Sequence, residues 1–269
     1  MGNELQGDFI KFLGTGGARV VVSRQVRASA GAWLRLSGVN LYLDPGPGAL
    51  VKCWKSRPPL DPSLLDGIII THRHLDHAGD LNALTEAMTE AGFKKRGSVF
   101  LPSDALGEEP VLFRYLRPLV ERLEVLEAGK SYKVKNLVFT TPVRHLHAVE
   151  TYGLLLSLPW GRIAWIADTL YFPELIDYYR SDLLILNVPL LEPRAPGKIQ
   201  HLFFGDACVL IREIRPKVAV LTHFGMTMLR ARPWVLAERL SDETGVRVLA
   251  AQDGMTLSLP ELLQLRTEK

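Results

Sequence analysis

The sequence predicts an α/β fold, and three observations carry that prediction. Short apolar runs alternate with segments of helical period along the whole chain, the pattern of a sheet core covered by helices. No repeat of fixed period and no low-complexity stretch interrupts the alternation. Several of the apolar runs end in an aspartate or histidine that has no place in a core, and in open α/β folds functional groups collect at the carboxyl ends of strands.

Taken in order, "VNLYLD" (Val39–Asp44), "GIIIT" (Gly67–Thr71), "SVFL" (Ser98–Leu101) and "NLVFTT" (Asn136–Thr141) read as strands by length and by β-branched or aromatic content. So do "GLLLSL" (Gly153–Leu158), "RIAWIAD" (Arg162–Asp168), "LLILNV" (Leu183–Val188), "VAVLTH" (Val218–His223) and "VRVLAA" (Val246–Ala251). Helical period is found at Asp80–Ala91, Glu109–Glu121, Pro173–Tyr179, Asp206–Ile214 and Pro233–Thr244. In the fourth of these Ala207, Leu210, Ile211 and Ile214 mark one apolar face, and Pro216 stops the helix. The proline-bearing loops at 57–62 and 189–196 are too short for domain linkers, so residues 1–269 are expected to form a single domain.

With 269 residues, 47% hydrophobic and 23% charged, the chain has the composition of an ordinary globular protein with a sizeable core. It has no run of 18 apolar residues, so no membrane span is expected. The start, "MGNELQGDFIKFLGTGG", lacks the basic region and long apolar stretch of a secretory signal. Cys53 and Cys208 make no disulfide framework, and the expected setting is the reducing cytoplasm. A formal charge of +3 is too mild to argue for nucleic acid. Between Asp8 and Asp44, however, there is no acidic residue, while Lys11, Arg19, Arg24, Arg27 and Arg35 fall there. This is either a solvated basic face or a wall that attracts an anionic substrate.

"IIITHRHLDHAGD" (Ile68–Asp80) packs three of the chain's seven histidines and an aspartate into six positions after an apolar run. In an extended chain His72 and His74 point the same way, and Asp76 and His77 follow at the turn into a helix. Imidazole and carboxylate suit Zn²⁺, Mn²⁺ and Fe²⁺. Four such groups so close together argue for two adjacent ions, since one tetrahedral ion can hardly use them all. The remaining histidines fall in three short segments: His145 and His147 in "PVRHLHAVETYG", His201 in "IQHLFFGD" and His223 in "VLTHFG".

"THRHLDHAGD", followed by His147, Asp168 and His223, closely resembles the metallo-β-lactamase fold superfamily of binuclear metallohydrolases. "FLGTGGA" (Phe12–Ala18) is similar to the branch containing ribonuclease Z and the cyclic phosphodiesterases of phosphonate breakdown. The resemblance runs from about Phe9 to about Leu259. It implies a four-layer αβ/βα sandwich with metals at the rim between two sheets. It further implies that His72, His74 and His147 hold one ion, that Asp76, His77 and His223 hold the other, and that Asp168 bridges them. His147 is preferred to His145 because the family ligand stands six residues before a glycine that opens a strand, here Gly153. His145 is then a supporting or structural residue. His201 matches the branch's extra histidine, whose family role is to protonate the leaving oxygen and contact the scissile phosphate.

The expected activity is therefore that of a binuclear metal-dependent hydrolase. It would be a phosphodiesterase that attacks with a metal-bridging hydroxide, with Asp76 orienting the nucleophile and His201 as proton donor. Two divalent transition-metal ions are implied, zinc first, manganese second, with iron open. The expected substrate is a small anionic phosphodiester or nucleotide-like molecule, with Arg19, Arg24, Arg27 and Arg230 as candidate contacts for its negative groups. Arg232 is a further candidate beside Arg230.

Only 20 residues separate His147 from Asp168 and 32 separate Asp168 from His201, which leaves no room there for a tRNA-gripping arm, although RNA stays open as a substrate. The cysteine-rich zinc loop of the phosphonate enzymes is absent too, since no cysteine precedes Cys53. A homodimer is left open. Phe203 stands where a hydroxyl residue often caps the helix after the extra histidine, so that helix is expected to begin near Asp206. The alternatives are a lactone, thioester or β-lactam hydrolase on the same metal pair and, more remotely, a non-catalytic binding module, which would predict lost ligands. A flavin-linked di-iron oxidoreductase would carry a glutamate in place of His74 and a flavin domain for which there is no length.

Overall fold

The computed structural model describes residues 7–193 and 200–264. Residues 194–196 of the second proline-bearing loop lie outside the described residues. The described strands fall into two sheets of seven, in the orders β14-β1-β2-β3-β4-β5-β6 and β13-β12-β11-β10-β9-β8-β7. The first sheet contains β1 (Phe9–Phe12), β2 (Ala32–Leu36), β3 (Val39–Leu43), β4 (Gly67–Ile69), β5 (Ser98–Leu101) and β6 (Arg122–Val125). The second contains β7 (Lys130–Val134), β8 (Leu137–Thr141), β9 (Leu154–Leu158), β10 (Gly161–Ile166), β11 (Leu183–Asn187), β12 (Val218–Thr222) and β13 (Arg247–Ala250). The chain then returns, and β14 (Thr256–Ser258) pairs antiparallel with β1 in the first sheet.

Each sheet has a parallel half, β3 to β6 in one and β10 to β13 in the other, and its inner strands are buried on both faces while the edge strands β6 and β13 are partly exposed. The period-two alternation of a strand distributes their side chains. In β11, Leu183 and Ile185 face the core between the sheets, and Leu184 and Leu186 face the outer helices. In β10, Ile163 and Trp165 point inward, and Ala164 and Ile166 outward. Helices Ala49–Lys55 and Leu81–Met88 cover the first sheet, and Phe204–Ile214 and Pro233–Thr244 cover the second. The result is the expected four-layer αβ/βα sandwich. Among the described residues no helix is long and apolar enough to cross a membrane.

Two expectations need correction. Glu109–Glu121 is not an α-helix: it runs through bends and a single 3-10 turn at Arg117–Leu119. Leu112, Leu116 and Val120 are buried as the period required. Pro118 gives no backbone donor, however, and its ring opposes a helical carbonyl four residues earlier. The Asn82 side chain supplies what the helix would have: its amide donates to the Val111 carbonyl (2.9 Å) and accepts from the Phe113 N–H (2.8 Å). The helix after His201 begins at Phe204, ahead of the expected Asp206. No hydroxyl cap is needed at Phe203, because the Asp206 carboxylate reaches back to its N–H (3.1 Å), half of a capping box.

Candidate metal centre

The carboxyl ends of the parallel strands bring the candidate ligands together. His72 follows β4, His74 stands just before the helical turn Leu75–Ala78 that carries Asp76 and His77, Asp168 follows β10, and His223 follows β12. His147 sits on the connection between β8 and β9. Among the described residues, three overlapping groups of donor atoms lie close enough to share an ion: His72 with His74 and His147, His72 with His77 and Asp168, and Asp76 with His77 and His223.

Asp168 Oδ2 is the hub. It lies 3.8 Å from His72 Nε2, 3.6 Å from His77 Nε2, 3.5 Å from His223 Nε2 and 3.3 Å from His201 Nδ1. Asp76 Oδ2 is 3.8 Å from His77 Nε2 and 3.7 Å from His223 Nε2. His147 Nε2 and His74 Nδ1 face each other at 3.2 Å.

The opposite ring nitrogens are engaged, and this fixes which atoms remain. Thr71 donates its hydroxyl to Asp44 Oδ2 (2.7 Å), so its oxygen can only accept from His72 Nδ1 at 3.1 Å. His77 Nδ1 donates to Asp44 Oδ2 (2.9 Å), and His147 Nδ1 donates to the Gln200 carbonyl (2.8 Å). In the neutral ring each bond leaves a lone pair on Nε2, pointed into the centre. The Nε2 atoms of His72, His77 and His223 are buried without a hydrogen-bond partner. Three buried, partnerless ring nitrogens around one carboxylate oxygen are what a cation site requires, so these residues fit divalent metal ions.

Electrostatics agree with the donor roles. Burial alone would raise the Asp168 carboxyl, but His223, His201 and His77 outweigh it and hold Asp168 well below the usual range. Burial likewise opposes ionisation of Asp76, and His77 and His223 again prevail. Burial, joined by neighbouring imidazoles, pushes His72 and His74 down, which keeps them in the neutral ligand form. For His77 burial is overcome by Asp44, Asp76 and Asp168, which hold its ring well above its ordinary value. In the metal-free chain a proton on His77 supplies positive charge that a bound cation would replace.

His201 stands apart from the three groups. Burial lowers its ring to about 4, against the opposing pull of Asp168. His145 is buried behind the centre, beside Asp168 and outside the three groups, with Nε2 2.7 Å from the Tyr179 hydroxyl. Of the arginines, Arg19, Arg24 and Arg230 are exposed. Arg27 is half-buried, and its Nη1 donates to Thr15 Oγ1 (2.8 Å) and to the Ala251 carbonyl (2.9 Å).

Two supporting residues were not assigned from the sequence. Asn187 donates to Asp168 Oδ1 (2.9 Å) and accepts from the Trp165 indole (3.3 Å). Asp44, recognised as a polar strand end but given no role, orients His77 and Thr71. Asn187 closes "LLILN" as Asp44 closes "VNLYLD", so the same strand-end signal marks both.

A family model described as a β-lactamase superfamily domain matches residues 39–224. The uncharacterized protein MJ1374 of Methanocaldococcus jannaschii is 32% identical over 261 residues, spanning 93% of this chain and 94% of that protein. Among solved structures, the metallo-β-lactamase fold protein YhfI from Bacillus subtilis superposes with a TM-score of 0.77 at 17% identity, covering 94% of this chain and 99% of that one. Human tRNase Z, short form, superposes with a TM-score of 0.71 at 20% identity, with the same coverage of 94% and 99%.

Proposed function

The chain belongs to the metallo-β-lactamase fold superfamily, and on that premise we propose that it is a metal-dependent hydrolase of phosphodiesters. The observation that carries the reading is the set of partnerless Nε2 atoms of His72, His77 and His223 around Asp168 Oδ2, with His201 beside them and outside every ligand group. The likeness to human tRNase Z supports a phosphodiester over a carboxylic ester.

In this reading His72, His74 and His147 hold one ion, Asp76, His77 and His223 hold a second, and Asp168 is shared. Zinc is the first choice, manganese the second and iron the third, because imidazole with carboxylate suits all three. Such ions, when bound, acidify water towards neutral pH and stabilise charge on a phosphoryl oxygen. The residues do the rest. Asn187 fixes the rotation of Asp168, and Asp44 fixes the ring of His77. Asp76 accepts a hydrogen bond from the attacking water as well as ligating. Water adds to phosphorus and gives up a proton by way of Asp76 to solvent, the ester P–O bond breaks, and the leaving oxygen takes a proton from His201. With Nδ1 turned towards Asp168, Nε2 is the His201 atom left to face the leaving oxygen. Burial keeps that ring neutral in the empty chain, and the phosphodiester anion is what favours its protonated form. Arg19, Arg24 and Arg230 are the exposed cations available for the substrate's other charges.

The test is turnover by the zinc-loaded protein on bis-aryl phosphodiesters, cyclic nucleotides, RNA, lactones and thioesters, followed by His201→Ala. Phosphodiester cleavage is expected. The variant should keep its metal and lose roughly 10²–10⁴-fold on an alkoxide leaving group, the usual worth of a general acid. The loss should be much smaller on a nitrophenolate. Equal losses on both would remove His201 as proton donor. Turnover of lactones or thioesters with no phosphodiester cleaved would replace the reading with the ester-hydrolase one.

A further inference from the structure

His223 has a backbone conformation that is uncommon for a residue other than glycine. Its φ is 61°, in the left-handed region, which costs free energy that the surrounding contacts offset. The surroundings are the glycine-rich loop that follows β1. The Thr15 carbonyl accepts from the Phe224 N–H (2.8 Å), and the Gly17 N–H donates back to the Phe224 carbonyl (3.1 Å). Gly16 faces Phe224 in a parallel bridge. Gly17 lies so close to the His223 imidazole that a Cβ there would overlap the ring. The loop thus holds the backbone of the residue after this candidate ligand and packs against the ligand's ring.

The loop is itself held from outside the centre. Asp253, exposed on the turn between β13 and β14, accepts three hydrogen bonds from two segments. Oδ1 takes the Thr15 N–H (2.9 Å) and hydroxyl (2.7 Å), and Oδ2 takes the Ala28 N–H (2.8 Å). The Thr15 hydroxyl, having given its proton to Asp253, accepts from Arg27 Nη1, and the Arg27 guanidinium lies 5.5 Å from the centre of the Phe224 ring. A continuous chain of contacts therefore runs from a surface carboxylate to a buried imidazole.

We propose that Asp253, with Thr15 and Arg27, is a positioning network for His223 and so sets the affinity of the ion site made by Asp76, His77 and His223. The proposal rests on reading those three as ligands. It gives Arg27 the work of a brace, in place of the substrate contact expected from the sequence. Asp253 anchors by charge-assisted hydrogen bonds and fills no space in the core, so its removal loosens the loop without opening a cavity.

Asp253→Ala and the near-isosteric Asp253→Asn test this, the second serving should the first not fold. Asp182→Ala is the control for lost stability alone. Asp182 accepts from the Arg162 N–H (2.8 Å) and pairs with Lys217 (3.2 Å) beside the start of β11, at the opposite end of the sheet. The first readout is NMR relaxation of the histidine rings in metal-free protein. The His223 ring should become markedly more mobile in the Asp253 variants, with His147 unchanged and the control like wild type. The second is zinc titration against a chromophoric chelator, in which the Asp253 variants should weaken one of two ions by about 10–100-fold and leave the other unaltered. An equally ordered His223 ring in wild type and variants would overturn the proposal, and so would equal weakening of both ions. A wild type that takes up a single zinc would instead overturn the two-ion reading, and the ring measurement would still decide the brace.

Discussion

Asp168 concentrates the chemistry of the centre in one oxygen: four imidazole nitrogens lie within 3.8 Å of Oδ2, while Oδ1 is tied to Asn187. A buried carboxylate with a purely structural role would have its hydrogen bonds satisfied by N–H donors, and Oδ2 is surrounded by ring nitrogens that make no hydrogen bond. Asp168→Ala is therefore expected to lower bound metal together with activity. Elemental analysis of protein purified without chelator, set beside a melting curve, checks this. A variant that melts earlier yet keeps its full metal content would reduce Asp168 to a structural group. The histidines were legible in the sequence because histidine is scarce and their order along the chain is fixed by which strand ends meet. The residues that orient them were less so. Gln200 acts on His147 and Asn187 on Asp168 by single hydrogen bonds between distant chain segments, and such bonds leave no local spacing to read.

Elements were legible where burial decides them. The parallel strands β4, β5, β10, β11 and β12 are apolar on both faces, and the sequence shows them as short continuous runs. Strands β6, "RLEV", and β7, "KSYKV", carry exposed or half-exposed charged residues, and β1, "FIKF", buries Lys11 by tying it to the Arg57 carbonyl and Thr256 Oγ1. A short run with one charge in it carries too weak a period to separate strand from loop. Glu109–Glu121 failed the other way: its burial period is real, but Pro118 and the Asn82 bonds impose a non-helical path. The helix Phe204–Ile214 offers a test at this scale, since it begins three residues after His201. Asp206→Ala removes the bond to the Phe203 N–H and should destabilise the fold by about 1 kcal/mol, the common cost of a lost cap. Activity and metal content should both fall modestly, because the segment before the helix carries His201 and also the Gln200 carbonyl that orients His147. Thermal melting and single-turnover assays check the two halves; a melting point equal to wild type would mean that the carboxylate does not cap.

At the scale of the whole molecule, the two sheets bury titratable rings that an unfolded chain exposes, and this couples stability to pH before any metal binds. His145 is the clearest case, being fully buried against Tyr179 and outside the candidate ligand groups. Burial lowers its ring from 6.5 to about 4. A group depressed on folding contributes stability that is present above its unfolded value and lost as pH falls towards its folded one. Between pH 6.5 and about 4 the unfolded chain takes up a proton that the folded chain refuses. His72, His74 and His201 are displaced in the same direction. His77, displaced upward, works against them: its contribution is complete below its unfolded value and lost only as pH rises through its folded one. The metal-free protein should therefore lose stability on acidification from pH 7 to pH 5, with His145 alone accounting for on the order of 3 kcal/mol across its full window. Urea unfolding at several pH values checks this, with His145→Gln as the comparison, since glutamine can still bond the Tyr179 hydroxyl but takes up no proton. The variant should be the less stable at pH 7, and the gap should close as pH falls, because wild type alone pays the proton penalty. Parallel stability curves for the two proteins would show that His145 protonates as readily folded as unfolded, and that the rings of this interior are better solvated than their burial implies.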